Sequence, residues 1–179
     1  MNSQDPVLTI YDTFAAAKRP LELLEPGKCK VYCCGPTVYD MSHIGHARAA
    51  LLPDVLVRFL RNQGVEVKYA RNITDIDDKI IKRANETGVD SKEVSEKYAA
   101  EYLVDLDAMG LLRPDVAPKV SDHIQEIIDL VQVLIEKGMA YEVEGDVYFS
   151  VENFKPYGGL SKRDLDNMRA GARVAVDDR

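Results

Sequence analysis

Residues 28–51 read KCKVYCCGPTVYDMSHIGHARAAL, and this stretch decides the fold. Its first part, residues 28–34, has the composition of a β-strand and ends at the turn signal Gly35-Pro36. A helix is predicted over residues 44–63, because apolar residues recur there at helical spacing and Gly64 follows as a stop. The apolar positions of this helix are Leu52, Val55, Leu56, Phe59 and Leu60.

A second strand is predicted directly after the helix. Residues 65–73 (VEVKYARNI) alternate in polarity and are rich in β-branched side chains. A strand, a helix and a strand with short connections form a right-handed βαβ unit with parallel strands. The sequence therefore predicts an α/β fold with a Rossmann-like parallel sheet. Pro53 lies inside the helix, and we expect a kink there because proline removes one backbone hydrogen bond.

Beyond this unit the pattern changes to helices, a loop and a hairpin. Asp90 and Glu93 form a capping-box pair that predicts a helix start, and Ser121 is predicted to cap a further helix. Residues 111–119 contain two prolines and are predicted to form a loop. Residues 140–151 are predicted to form a β-hairpin.

The composition limits the classes of function. The chain has 179 residues and no apolar run long enough for a membrane span, and its N-terminus lacks the pattern of a secretory signal. A net charge of −7 argues against a dedicated nucleic-acid-binding module. Cys29, Cys33 and Cys34 are an odd number of closely spaced thiols, which indicates reduced cysteines rather than a disulfide framework. We expect a cytoplasmic protein without a membrane anchor.

The strongest chemical signal is His43-Ile44-Gly45-His46, between the first strand and its helix. Ligands of open α/β sheets bind at the carboxyl ends of strands, and a helix N-terminus offers N–H groups to phosphate. Gly45 permits a close approach to the backbone. His43 and His46 can donate hydrogen bonds to phosphoryl oxygens as negative charge develops. The same pattern is also compatible with an ordinary exposed histidine pair at a helix start.

Three blocks of the chain resemble the cysteinyl-tRNA synthetases, a class I family. The first is residues 34–48 (CGPTVYDMSHIGHAR), and the second is residues 72–84 (NITDIDDKIIKRA). The third lies within residues 157–173 and includes RAGAR at 169–173. Together the three blocks span nearly the whole chain.

The resemblance implies ATP-dependent activation of L-cysteine and its transfer to tRNA(Cys). His43 and His46 would be the catalytic residues of the HIGH motif, and Cys34 would be the first ligand of a zinc ion that binds the substrate thiolate. The other zinc ligands would lie outside this chain. The resemblance implies ATP-binding roles for Pro36, Thr37, Val38, Tyr39, Asp40, His43, Gly45 and His46, and amino-acid-binding roles for Gly35, Thr37 and Thr74. ATP is expected with magnesium, and the protein is expected to be a monomer.

The resemblance also implies a division of the chain. Residues 1–112 would be the first half of a Rossmann-like catalytic domain. Residues 113–179 would be a mixed helical and hairpin connective insertion that helps to handle the tRNA acceptor end, cut at its C-terminal end. The second nucleotide loop is expected after Arg179, so the chain alone is expected to be inactive.

Other interpretations stay open. A cysteine ligase of the mycothiol pathway shares the Cys-Gly and histidine blocks, although residues 73–84 are more typical of the tRNA enzyme. A truncated, non-catalytic paralogue or binding module is the other alternative. For Asp75, Asp77 and Asp78 we favour helix capping over metal binding, and for His123 we favour a structural role.

Overall fold

The computed structural model describes residues 8–162, which form two compact units. One unit contains residues 23–124, and the other contains residues 8–22 and 125–162. In chain order the elements are β1 (Thr9–Asp12), β2 (Ala17–Pro20), β3 (Lys28–Cys33), α1 (Ile44–Asn62), β4 (Glu66–Arg71), α2 (Asp78–Thr87), α3 (Ser91–Ala108), α4 (Ile124–Glu136), β5 (Ala140–Val143) and β6 (Asp146–Phe149).

The larger unit is built on β3, α1 and β4. β3 and β4 pair in parallel from Lys28 opposite Glu66 to Cys33 opposite Arg71. This ladder confirms the predicted strand–helix–strand unit, with both strands slightly shorter than expected. The described residues therefore form a mixed α/β structure with a two-stranded parallel sheet.

The predicted loop at residues 111–119 is fastened to the free edge of β4. Val116 and Lys119 form parallel bridges with Ala70 and Ile73. The carboxylate of Asp115 accepts a hydrogen bond of 2.7 Å from the backbone N–H of Tyr69. These bonds satisfy backbone groups at a strand edge that would otherwise need water or another strand.

The buried face of α1 differs from the predicted one. The buried residues are Ala50, Pro53, Asp54, Val57 and Leu60. Of the predicted apolar face only Leu60 is buried, whereas Leu52 is 75% exposed and Val55 is 56% exposed. The prediction failed because α1 carries apolar residues on more than one side, and periodicity alone does not select between them. The helix continues through Pro53, and the kink expected there stays a prediction.

The hydrogen bonds of Asp54 help to explain why this side of α1 is buried. Its carboxylate accepts hydrogen bonds from Nε of Arg58 at 2.9 Å and from the backbone N–H of Leu112 at 2.7 Å. Arg58 also donates to the carbonyl oxygen of Gly110. A buried carboxylate is tolerated when its lone pairs are satisfied in this way. Asp54 thereby ties α1 to the loop that follows α3.

The cores of the larger unit lie around α1, α2 and α3. Asp77 and Asp90 cap α2 and α3 by accepting hydrogen bonds from the backbone N–H groups of Lys79 and Lys92. These caps confirm the predicted helix start at Asp90 and the favoured capping role of Asp77. One core cluster contains Val38, Ile73, Ile80, Ala84, Val94 and Ala99, and another contains Ala50, Tyr102 and Leu106.

Ser121 does not cap a helix as predicted. It begins a 3-10 turn before α4, and that turn has no side-chain cap. Its hydroxyl and its backbone N–H instead donate to the carboxylate of Asp75. The reason is a tertiary contact: a carboxylate from the segment between β4 and α2 binds the side chain that a local cap would have used.

The smaller unit contains two hairpins and most of α4. β5 and β6 pair in antiparallel fashion around the turn at Glu144 and Gly145, as predicted. β1 and β2 form a second antiparallel hairpin that the sequence did not predict. Within residues 8–162 we find no helix with the length and apolar character needed to cross a membrane.

Candidate functional site

The candidate site is the loop between β3 and α1, which continues the parallel pairing beyond the strand ends. Thr37 bridges to Thr74, the N–H of Val38 donates to the carbonyl oxygen of Thr74, and the N–H of Thr74 donates to that of Pro36. These bonds place the predicted ATP-binding segment beside Thr74 at the carboxyl edge of the sheet. The side chain of Val38 is fully buried, so any ligand contact there would involve its backbone.

Asn72 holds this edge together and was not assigned a role by sequence analysis. Its Oδ1 atom accepts hydrogen bonds from the N–H of Gly35 at 2.8 Å and from the hydroxyl of Tyr32 at 3.0 Å. Its Nδ2 atom donates to the hydroxyl of Thr74 at 3.2 Å. One amide therefore links two residues of the predicted amino-acid site, Gly35 and Thr74. An asparagine directly after a buried strand was the available signal.

Gly35 lies against the backbone of Asn72. A Cβ atom at position 35 would lie 1.5 Å from the carbonyl oxygen of Asn72. Only glycine permits this approach, which brings the ends of the two strands together. The neighbouring Cys34 is exposed and forms no disulfide, and its thiol donates to the carbonyl oxygen of Gly35 at 3.7 Å.

His43 and His46 form a reciprocal cap at the start of α1. Nδ1 of His43 accepts a hydrogen bond of 3.0 Å from the N–H of Gly45, and Nδ1 of His46 accepts one of 3.1 Å from the N–H of His43. The two ring centroids lie 4.2 Å apart. Sequence analysis expected free N–H groups for a phosphate at this helix end, but the N–H of Gly45 is already bonded to His43.

Gly45 accommodates the ring of His43. A Cβ atom at position 45 would lie 2.6 Å from Cε1 and 2.9 Å from Nδ1 of that ring. Gly45 was expected to leave room for a ligand near the backbone. In the structure the ring of the capping residue His43 occupies this room. Both Nε2 atoms remain available for hydrogen bonding to a ligand.

A cavity of about 310 Å³ adjoins the histidine pair between α1 and α3. Its walls are largely apolar, and burial lowers the pKa of His46, helped by repulsion from His43 and Arg71. The neutral form of the His46 imidazole is therefore favoured at pH 7. The lining residues are Ser42, His43, Ile44, His46, Ala47, Tyr102, Asp105, Leu106, Ala108 and Met109.

Comparison with known proteins decides the family. A family model described as the catalytic domain of class I (C) tRNA synthetases matches residues 20–179. The chain belongs to this family. It is 50% identical over 173 residues to a cysteine–tRNA ligase of Syntrophobacter fumaroxidans. The alignment covers 97% of this chain and 35% of the relative.

Other relatives of this synthetase chain carry the same name. The chain is 54% identical over 172 residues to a cysteine–tRNA ligase of Geotalea uraniireducens, and 53% identical over 168 residues to one from an Anaeromyxobacter strain. These alignments cover 96% and 93% of the chain. In each case the chain spans about a third of the relative's length, 35%.

Two further residues of the loop between β3 and α1 pack against α2. The carboxylate of Asp40 accepts from the backbone N–H of Met41 at 2.8 Å and lies 3.5 Å from Nη2 of Arg83. The ring of Tyr39 lies under Nζ of Lys79, 5.2 Å from its centroid. Lys79 at the start of α2 therefore covers this ring.

The metal-binding prediction for this synthetase chain involves Cys34 alone. Residues 8–162 contain no group of three or more His, Cys, Asp or Glu side chains that could hold a metal ion. The described residues therefore do not form a zinc site by themselves. Asp77 is engaged in helix capping and Asp75 in binding Ser121. The RAGAR segment of the third block lies outside the described residues.

Proposed function

We propose that the chain is the N-terminal part of a cysteinyl-tRNA synthetase, which activates L-cysteine with ATP and transfers it to tRNA(Cys). The observation that supports this most directly is the capped histidine pair at the carboxyl edge of a parallel βαβ unit. The family match and the names of the relatives point to the same chemistry. Because the chain spans 35% of those relatives, the complete site needs residues beyond it.

His43 and His46 are the proposed catalytic residues. With both Nδ1 atoms used for capping, each ring can donate from Nε2 to a phosphoryl oxygen of ATP bound with magnesium. Such donors stabilise the negative charge that develops when the cysteine carboxylate attacks the α-phosphate. Residues 36–40 would contact the nucleotide, supported by the pairing of Thr37 with Thr74.

The amino-acid site is proposed at Gly35, Thr37 and Thr74, which Asn72 and the strand-end bridges bring together. Cys34 is the proposed zinc ligand of this chain. A thiolate suits zinc, and zinc would supply selective binding of the substrate thiol. Since the described residues contain no group of three or more possible metal ligands, the remaining ligands would come from the rest of a full-length protein.

The wider organisation is also a proposal. Residues 1–112 would form the first half of a Rossmann-like catalytic domain, and residues 113–179 would form the connective insertion. A complete protein of this kind would be a cytoplasmic monomer. The mycothiol-pathway ligase has no specific support here, because the relatives quoted above are all named as tRNA ligases.

A chimera tests the proposal directly. In it, this chain replaces the matching residues of the Geotalea uraniireducens relative, and cysteine-dependent ATP–pyrophosphate exchange and tRNA(Cys) charging are measured. We expect both activities, and loss of both in His43→Asn and His46→Asn. His123→Asn is the matched control and should retain them. A folded chimera that charges tRNA(Cys) equally well with and without the two histidines contradicts the proposal.

A further inference from the structure

Arg71 ends β4 with its side chain inside the protein. It follows Val67 and Tyr69 on the buried face of the strand and is only 5% exposed. Its guanidinium lies over the ring of Tyr102, 5.7 Å from the centroid. Within residues 8–162 no carboxylate forms an ion pair with it, and its Nε atom has no hydrogen-bond partner. Burying a cation without an acidic partner reduces the stability of the folded state, so the presence of Arg71 at this position needs an explanation.

Tyr102 connects this cation to the histidine pair. The ring that Arg71 covers also lines the cavity of about 310 Å³ beside His43 and His46. The hydroxyl of Tyr102 is buried and has no hydrogen-bond partner among the described residues. The guanidinium of Arg71 thus lies against a residue that lines the cavity beside His43 and His46. Charges interact more strongly where the surroundings have low polarity.

The capping bonds fix the protons of both imidazoles. An Nδ1 atom that accepts from a backbone N–H carries no proton, so in a neutral ring the proton is on Nε2. Both His43 and His46 accept in this way. Protonation of either ring would place the second proton of that ring on Nδ1 and break its capping bond.

We propose that Arg71 is a positioning residue whose buried charge keeps His46 neutral, while the capping bonds hold His43 and His46 in the Nε2–H form. The inference rests on the proposed function, in which these Nε2–H groups donate to the oxygens of a phosphate. When both rings are neutral, both capping bonds persist and each ring offers one fixed Nε2–H donor. An imidazolium would lose its capping bond, and the first turn of α1 would open.

Of the groups that face His46, some oppose its protonation and one favours it. His43 on the cap and Arg71 on β4 oppose its protonation, and burial acts in the same sense to lower its pKa. Asp105 on α3 lines the same cavity and, when ionised, favours protonation. Tyr102, also on α3, is neutral at pH 7, because burial raises the pKa of its hydroxyl. Removal of the Arg71 charge should therefore shift the balance toward the imidazolium.

The test uses the 179-residue chain with ¹⁵N-labelled histidine. Long-range ¹H–¹⁵N spectra recorded across pH report the tautomer and the titration midpoint of each ring. We expect Nε2–H tautomers for His43 and His46 at pH 7, and a higher midpoint for His46 in Arg71→Gln. Arg71→Lys retains the charge and should keep the midpoint close to that of the wild type. His123, outside this cluster, serves as the internal control.

Every result of these spectra either supports or overturns the proposal. Nδ1–H tautomers in the wild type, or equal His46 midpoints in the wild type and a folded Arg71→Gln, overturn the proposal. If Arg71→Gln does not fold, Arg71→Met, which keeps the length of the side chain and removes its charge, takes its place with the same two outcomes. The chimera assay is independent of these spectra. A chimera without cysteine-dependent exchange overturns the proposed function even where the tautomers are as expected.

Discussion

The carbonyl oxygen of Asn72 occupies the place where a side chain on Gly35 would begin. A Cβ atom there would lie 1.5 Å from that oxygen, so the ends of β3 and β4 come together only with glycine at this position. The same asparagine binds the N–H of Gly35 through its side chain. Backbone and side chain of one residue thus determine the spacing at the edge of the candidate site.

Gly35→Ala should therefore unfold the protein or greatly reduce its free energy of unfolding, because backbone must move to relieve the clash. A destabilisation above about 3 kcal/mol is expected, as for other severe steric conflicts. Gly110→Ala is the control: its φ of +66° is unfavourable for alanine, but its Cβ would meet open space. That change should cost only about 1–2 kcal/mol. Urea denaturation followed by circular dichroism compares the two, and equal costs would contradict the account.

Gly45→Ala should separate stability from activity. The new Cβ displaces the ring of His43 and removes its capping bond, a loss of about 1 kcal/mol. Alanine returns about the same amount through its helix propensity, so the free energy of unfolding should change little. Cysteine-dependent pyrophosphate exchange in the chimera should fall roughly 100-fold, as misplaced catalytic groups do.

The matched control for that change is Ala49→Gly on the exposed side of the same helix. It should show the opposite pattern, with stability reduced by about 1 kcal/mol and exchange retained. If Gly45→Ala kept full exchange, the orientation of His43 would not matter to the reaction.

Asn72→Asp should act on cysteine rather than on ATP. Aspartate still accepts from Gly35 and Tyr32, but its second oxygen can only accept, so the Thr74 hydroxyl turns its proton toward residue 72 and no longer donates it to the substrate. Loss of a hydrogen bond worth about 1 kcal/mol should raise the KM for cysteine several-fold in the chimera. The KM for ATP should stay close to its original value. Thr74→Ser retains the hydroxyl and should leave both constants nearly unchanged, whereas a parallel rise of both in Asn72→Asp would indicate a general distortion.

Asp54→Asn should make stability less sensitive to acid. Burial alone raises the pKa of Asp54, but the hydrogen bonds from Arg58 and Leu112 outweigh it and hold the pKa below 3.8. A carboxyl with a lowered pKa in the folded state stabilises the protein above about pH 4, and this contribution disappears as the pH falls through the folded pKa. At pH 7 the variant should lose about 1–3 kcal/mol.

Urea titrations at pH 7 and pH 3.5 would show this as a smaller difference between the two pH values in Asp54→Asn than in the wild type. Glu96→Gln, an exposed carboxylate on α3 that pairs with Lys92, is the control and should follow the wild type. An unchanged acid sensitivity in Asp54→Asn would mean that its hydrogen bonds add little to folding.

Local patterns were enough to predict β3, α1 and β4, since turn residues bound each element and periodicity marks its type. The side of α1 that is buried was not predictable in this way. Asp54 is buried because of Leu112, 58 residues further along the chain, and no local rule contains that partner. The β1–β2 hairpin was missed because its strands are four residues each and mostly exposed, without an alternating pattern.

In the candidate site, too, some residues were predictable from local sequence patterns and others were not. His43, Gly45 and His46 stood out because their chemistry is visible in four consecutive residues. Asn72 and Arg71 did not, since an amide and a cation at a strand end acquire their roles only from what packs against them. Their contacts come from β3 and α3, which the chain brings to that edge only on folding.

The segment that covers β4 also determines where this sheet can grow. Residues 116–119 occupy the outer edge of β4, and within residues 8–162 the only ladder partner of β3 is β4. An additional strand can therefore join only beside β3. Growth in one direction would leave the His43–His46 pair nearer the middle of a wider sheet and not at its margin.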